Sequence, residues 1–289
     1  MKITQGEDVP LQRTLEHRGG MFHSRILAEG EPETVDNFQL TWGRMGGDFY
    51  SPRHRHNFEQ VRVQLQGVLD YSKDGKLTPG MVGYFPEGVS YGPQIPAPDE
   101  QSITLVFQCG GASGGGYPSR QEFKAAVDAL SDVGNFEGGV FRRNEGEEGK
   151  RNMDGFQAVW EYVNQRPLKF PKPRYDQPVF MDPEHYQWLP VNGAPGVSEK
   201  LLGVFTERRT EAGILKLDPG AVYHAGGRGI YYVLNGAGEL ECETYANLTT
   251  LFVDHGESAV FTASETTAIF HMGLPDLRAL RAEQSVAAE

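Results

Sequence analysis

His54 and His56, separated by a single residue, stand in the densest run of chemically capable side chains in the chain, which extends from Gly47 to Gly67. On an extended strand, residues two apart project to the same side, so the two imidazoles can offer nitrogens to one metal ion. Gln60 shares their parity and Glu59 has the opposite one, although a turn between strands resets the phase. Parity favours Gln60 as the third inward side chain. Beyond it the run alternates, with Val61, Val63 and Leu65 on one side and Gln60, Arg62, Gln64 and Gln66 on the other. Two arrangements satisfy this pattern. In a sheet with one wet face the polar side, histidines included, faces water. In a barrel whose apolar side is packed outward, the polar side lines a ligand-sized lumen, and Arg62 partners a carboxylate or enolate there.

The elements that must position these residues are short strands. Gly 36 and Pro 18 are spread through the 289 residues as punctuation between β-branched and aromatic runs, the pattern of an all-β barrel or sandwich. Strands are expected at Phe38 to Gly43, Gln60 to Leu65, Met81 to Phe85 and Ile103 to Gln108. A second series follows at Glu211 to Leu217, Gly229 to Leu234, Gly238 to Glu243 and Ser258 to Thr262. Between them the period changes: Phe123, Val127 and Leu130, then Phe156, Val159, Trp160 and Val163, follow helical spacing. The run from Arg166 to Pro173 cannot continue a helix, because its prolines lack the amide donor. Asn144 to Lys150 reads as a solvated loop. Gly110 to Gly116 lacks the Lys-Ser/Thr ending of a phosphate loop and reads as a flexible connection.

The segment around His54 and His56 resembles the first motif of the cupin superfamily: a glycine, a His-x-His pair, a glutamate and a closing glycine. The second cupin motif, Pro-x-Gly-x-x-His, has its counterpart in Pro86, Gly88 and Tyr91. The resemblance implies that His54, His56 and Gln60 hold a divalent transition metal (iron, manganese, zinc or nickel), with Gln60 standing where cupins have glutamate and Tyr91 where they have the last histidine. The later strands are similar in outline to another cupin barrel, with Tyr223, Ala225, Gly229 and Thr267 at its ligand positions and His224 out of register by one.

The resemblance therefore implies an all-β bicupin of two double-stranded β-helix, jelly-roll barrels joined by a short helical linker. The boundaries expected are 1–118 for a metal-site barrel, 119–180 for the linker, and 181–289 for a barrel without the metal motif. The function implied is that of a metal-dependent enzyme acting on a small oxygenated or carboxylated substrate by dioxygenase-type chemistry. Arg62 and Gln64 would bind the anionic end, with Tyr91, Arg62 and Glu59 as catalytic groups. Two alternatives stand beside it: an isomerase or lyase using the metal as a Lewis acid, and a non-catalytic small-molecule-binding bicupin. A homodimer is a further expectation from the resemblance.

Composition narrows the partners. The sum of 27 Lys+Arg against 39 Asp+Glu gives −12, which disfavours nucleic acid and anionic membranes. No segment approaches the ~20 apolar residues of a membrane span, and the amino terminus lacks a secretory apolar stretch, so a cytoplasmic location is expected. Cys109 and Cys242 lie far apart and suggest neither a disulfide framework nor a thiolate zinc site. His17, His23, His185, His255 and His271 lack ligand spacing and are expected in structural or surface roles, with His23 a candidate substrate contact.

Overall fold

The structure is a computed structural model, and it describes residues 1–13, 18–97, 100–111 and 116–280. His17 and residues 112–115 of the glycine-rich run lie outside the described residues. The chain divides into two compact units, one of Met1–Pro10 with Met181–Ala279 and the other centred on Leu11–Phe180.

In the N-terminal unit a seven-stranded sheet runs in the order Val179–Met181, Val82–Phe85, Phe58–Gln66, Ser102–Gly110, Phe38–Met45, Phe22–Glu29, Gln12–Arg13. A three-stranded sheet of Lys76–Leu77, Leu69–Asp70 and Ile95–Pro96 shares a core cluster with it. Its Leu69, Tyr71 and Leu77 pack with Phe22, Met45, Phe49, Phe85 and Tyr91. Each expected strand of this series is present, lengthened or trimmed at its ends by one or two residues.

Antiparallel register turns strand parity into rows across the sheet. Gln60, Gln108 and Gln39 form one row; Arg62, Val106, Thr41 and Ile26 form the next; Gln64, Thr104, Gly43 and Ser24 form a third. The rows between them carry Val61, Phe107 and Leu40, each about 1% exposed or less. Both faces of the central strand are buried, since Gln60 is 1% exposed and Arg62 7%. Gln60, Arg62 and Gln64 therefore do not face water and line the interior of a barrel, whereas Gln66 at the end of the strand is exposed.

Residues 119–180 belong to this compact unit and not to a separate linker. Helix α1 (Arg120–Ser131) begins at a reciprocal cap, in which Ser119 Oγ accepts from the Glu122 amide and Glu122 Oε2 accepts from the Ser119 amide. Such a box satisfies two amides that a helix start leaves open. Helix α2 (Gly155–Asn164) is capped by Asp154 and closes on Gln165 in the left-handed region. Its Ala158 and Val159 pack on Ala126, Val127 and Leu130 of α1, while its Phe156 and Trp160 pack with Phe58 and Leu168. The Arg166 to Pro173 run is non-helical, and the guanidinium of Arg55 lies 4.0 Å above the Phe170 ring.

The C-terminal unit repeats the architecture with a different filling. Its seven-stranded sheet runs Lys2–Thr4, Thr250–Val253, Gly229–Asn235, Thr267–Gly273, Glu211–Leu217, Val197–Val204, Leu189–Pro190. A four-stranded sheet, Val222–Gly226, Ser258–Ala263, Gly238–Leu240 and Glu243–Tyr245, completes it. The expected strand Gly238 to Glu243 is split, because Glu241 takes a positive φ of 55° and turns the chain. Residues 2–4 pair with 250–252, which places Met1–Pro10 in this unit. Here the interior is apolar: Leu215, Leu217, Tyr231, Val233, Leu251, Val253, Phe261 and Ile269 form one buried cluster. Ala225 and Thr267 are buried at the degraded ligand positions, whereas His224 is exposed. His271 is 9% exposed and its Nε2 lies 2.8 Å from Glu199 Oε1. A Cβ at Gly213 would stand 2.3 Å from that nitrogen, so glycine there makes room for the ring. His185 and His255 are exposed. No described helix is long and apolar enough to cross a membrane.

Candidate functional site

The segment that carries the histidines is held by a second irregular segment. His54 and Tyr91 exchange both backbone hydrogen bonds, at 3.1 and 2.9 Å, and Ser51 and Gln94 do the same at 3.2 and 2.8 Å. This pairing brings residues 51–56 alongside 91–94. The imidazole centroids of His54 and His56 are 4.7 Å apart, with the Tyr91 ring 4.7 Å from His54. His56 stacks on Phe58 at 4.2 Å and meets Phe156 edge-on at 5.0 Å.

The tautomer of His54 follows from its partners. Its Nδ1 lies 2.6 Å from the carbonyl of Pro52, and a carbonyl can only accept, so Nδ1 carries the hydrogen and Nε2 the lone pair. Burial, reinforced by the nearby Arg18 cation, holds the pKa of this imidazole well below its ordinary value. His54 is a neutral base at neutral pH.

Arg62 is the electrostatic centre of the barrel. It donates from Nη1 to the hydroxyl of Tyr71 (2.9 Å) and to Gln94 Oε1 (2.5 Å). From Nη2 it donates to Gln60 Oε1 (2.9 Å) and the Tyr91 hydroxyl (3.4 Å), and from Nε to Gln60 Oε1 (3.2 Å). Every acceptor is neutral, and no described carboxylate pairs with it. The rings of Phe85, Tyr71 and Tyr91 surround the guanidinium, with centroids 4.9, 5.7 and 5.7 Å from Cζ. Cation–π attraction keeps such a charge in place without neutralising it.

These contacts also fix Gln60. A guanidinium has no acceptor, so the atom of the Gln60 amide that faces Arg62 must be the oxygen. The same oxygen accepts from the Tyr91 hydroxyl at 2.9 Å. Gln60 Nε2 is then a buried donor with no hydrogen-bond partner. Gln60 is among the residues that line a cavity of about 410 Å3.

The cavity is cationic and aromatic. Among the described residues that line it are Arg13, Arg18, Arg62, Arg120 and Lys124 but no Asp or Glu. The Arg18 side chain is buried and pairs with Asp154 at 3.1 Å, Lys124 is exposed and pairs with Asp128 at 2.9 Å, and Arg13 and Arg120 are exposed. Phe22, Phe49, Phe58, Phe123 and Phe156 supply much of the apolar wall. A positively charged chamber in a chain of net charge −12 is a local reversal of sign, and such a chamber concentrates small anions.

The residues named from the sequence divide accordingly. His54, His56, Gln60 and Arg62 line the cavity, with Tyr91 directly behind them. Gln64 is placed elsewhere: its Nε2 donates to Gln66 O, Gly67 O and Ser102 Oγ, its Oε1 accepts from Thr104, and it is fully buried and not among the residues that line the cavity. Glu59 points the other way, accepting from the Tyr84 hydroxyl with Arg174 at 3.6 Å. His23 has the opposite parity to the lining residues Phe22 and Ser24 and does not join them. Gln39, Thr41 and Gln108 were within reach of the sequence, since they share parity on their strands. Arg18 and Gln94 carry no local signal, and the helical spacing of Phe123 and Phe156 does not mark them as cavity lining.

Burial lifts the Glu59 carboxyl to about 7. An acid raised on folding contributes stability that is complete below its ordinary value of 4.5 and lost as pH rises through about 7. The N-terminal unit is expected to be less stable at about pH 8 than at about pH 5, and Glu59→Gln to flatten that dependence in urea melts. An unchanged slope in the variant would contradict the assignment.

A divalent metal fits this donor set poorly. Gln60 cannot present its oxygen, which Arg62 and Tyr91 occupy, and the other atom of the amide is a hydrogen-bond donor. An ion sharing that oxygen with the guanidinium would stand about 4 Å from it, where charges of +2 and +1 repel by roughly 8 kcal/mol at an effective dielectric of about 20. The described residues include no cluster of three or more His, Cys, Asp or Glu side chains placed to hold an ion.

Two jelly-roll barrels in one chain, the first bearing a His-x-His segment at its lumen, constitute the bicupin fold. Solved structures agree. A protein of Nostoc punctiforme named as a candidate dioxygenase superimposes with a TM-score of 0.65 at 11% identity, over 96% of this chain and 83% of its own. Oxalate decarboxylase of Bacillus subtilis, which carries Mn(II) centres, does so at 0.54 and 12%, over 95% and 76%. GK1651 of Geobacillus kaustophilus matches at 0.52 and 17%, over 94% and 97%. No protein-family model matches the chain, and no curated protein matches it. At these identities the likeness establishes the fold, and the chemistry must come from this chain's own side chains.

Proposed function

We propose that the N-terminal barrel binds a small organic anion with an apolar body, of the arylcarboxylate or aryl 2-oxo acid class, and moves a proton on the 2-oxo acid. The observation that carries this reading is the buried, uncompensated charge of Arg62 beside the partnerless donor of Gln60, in a cavity whose described lining has no carboxylate. The phenylalanine walls suit the body of such a ligand, and the exposed Arg13 and Arg120 in the lining suit its capture.

The catalytic part rests on His54. Its Nε2 lone pair can take a proton from the carbon next to a carbonyl. The C–H electron pair then forms the carbon–carbon double bond of an enolate, whose oxygen takes the negative charge near Arg62. A base of this kind typically contributes a factor of about 100 or more, and a fixed cation near the developing charge contributes further. This is isomerase or lyase chemistry without a Lewis-acid metal. Metal-dependent oxygenation, which the cupin resemblance first implies, would need a third ligand that Gln60 does not offer.

Phenylpyruvate in D2O tests both parts. Binding should raise the melting temperature of the N-terminal unit, and the protein should accelerate deuterium entry at C3, with His54→Ala retaining binding and losing exchange. Binding without any accelerated exchange would reduce the barrel to a carrier of anions. Dioxygen uptake during the incubation would favour the oxygenase reading instead.

A further inference from the structure

We infer that the fixed charge of Arg62 takes the place that a divalent ion would hold in this barrel, so that the site receives its anion with no metal. The inference rests on the anion reading above and goes beyond it, because an anion could equally be held through an ion bound to His54 and His56.

Three observations carry it. First, the positive charge is built in and immobile: all five N–H donors of Arg62 are used on Tyr71, Gln94, Gln60 and Tyr91, three of them tyrosine or glutamine side chains from segments distant in sequence. Nothing among the described residues neutralises it. Second, Gln60 is turned by that guanidinium so that its nitrogen is left without a partner. A buried donor without an acceptor costs free energy until an acceptor arrives, and an anion's oxygen supplies one where a cation cannot. Third, the residue type itself fits: the neutral amide of Gln60 tolerates the adjacent guanidinium as an acceptor only, whereas a carboxylate there would neutralise it and remove the attraction for an anion.

The exchange of charges makes a reciprocal prediction. Gln60→Glu together with Arg62→Gln removes the cation and restores a carboxylate beside two imidazoles, so this double variant is expected to take up Mn2+ or Zn2+ at about one ion per chain and to lose benzoate binding. The wild type should do the reverse.

The test is a benzoate titration of the full-length protein by calorimetry before and after exhaustive chelation, with metal analysis of the same samples. The expected result is little metal in the wild type and a dissociation constant that changes by less than about twofold on chelation. Benzoate binding that vanishes on chelation and returns with Mn2+ or Zn2+ would overturn the inference while leaving the anion reading intact. Absence of benzoate binding in every sample would defeat the anion reading. The metal analysis would then still decide the place of Arg62: one tightly held ion per wild-type chain, lost in His54→Ala/His56→Ala, overturns it, and uptake by the double variant alone sustains it. Should the double variant not fold, the wild-type measurements decide by themselves.

Discussion

Arg62→Met is expected to weaken benzoate binding by about 100-fold, and Arg62→Lys to keep a good part of the affinity. The effect is electrostatic. The guanidinium donors are already engaged by Tyr71, Gln94, Gln60 and Tyr91, so the ligand feels the charge more than any new hydrogen bond. A unit charge a few ångströms from a carboxylate in a partly dry cavity contributes roughly 3 kcal/mol, which corresponds to that factor. Lysine retains the charge without the fork of donors, and its partial rescue separates the two contributions. Equal loss in both variants would show that Arg62 acts by holding the shape of Gln60 and Gln94. No loss in either would remove it from the binding site. The folded state of each variant is checked by its urea transition.

The second large effect is structural. Phe156→Ala is expected to destabilise the N-terminal unit by about 3 kcal/mol in equilibrium denaturation. Phe156 is 4% exposed and meets Phe58 edge-on at 5.2 Å, His56 at 5.0 Å and Phe123 at 6.3 Å. Its removal leaves a void that joins the ligand cavity, because the ring is part of the wall. If residues 119–180 were only a linker, the same change would cost well under about 1 kcal/mol. A small effect would therefore detach α2 from the barrel and with it the account of how the histidines are positioned.

The strands around His54 were legible because two signals coincide there: alternation of period two and glycine or proline at the ends. Parity alone put Gln60 and Arg62 with the histidines, and the structure keeps them together. Parity could not say how far the polar row remains wet. Gln64 has the same parity, yet Thr104 and Ser102 from a neighbouring strand consume its amide. Gln60 looks like a ligand in sequence, yet a residue two positions on decides which atom it shows. Arg62 in turn is held by Tyr71 and Gln94, whose approach depends on a small separate sheet and on the Ser51–Gln94 pairing. Such contacts are properties of the closed barrel and have no local trace.

The helices show the same limit. Helical spacing announces that α1 and α2 each bury a face, and they do. It is silent on what the face covers, so in sequence Phe123 and Phe156 are indistinguishable from the residues of a helical connection. Residues 2–4 form a strand too short for alternation to register, and only their partners at 250–252 reveal it.

The central claim is that the N-terminal barrel selects negative charge. Its most direct test compares two ligands of nearly equal size and opposite sign, benzoate and benzylammonium, titrated into the chelated wild-type protein. The account predicts that benzoate binds at about one per chain and that benzylammonium does not compete with it at concentrations about 100 times higher. Equal binding of the two, or preference for the cation, would contradict it.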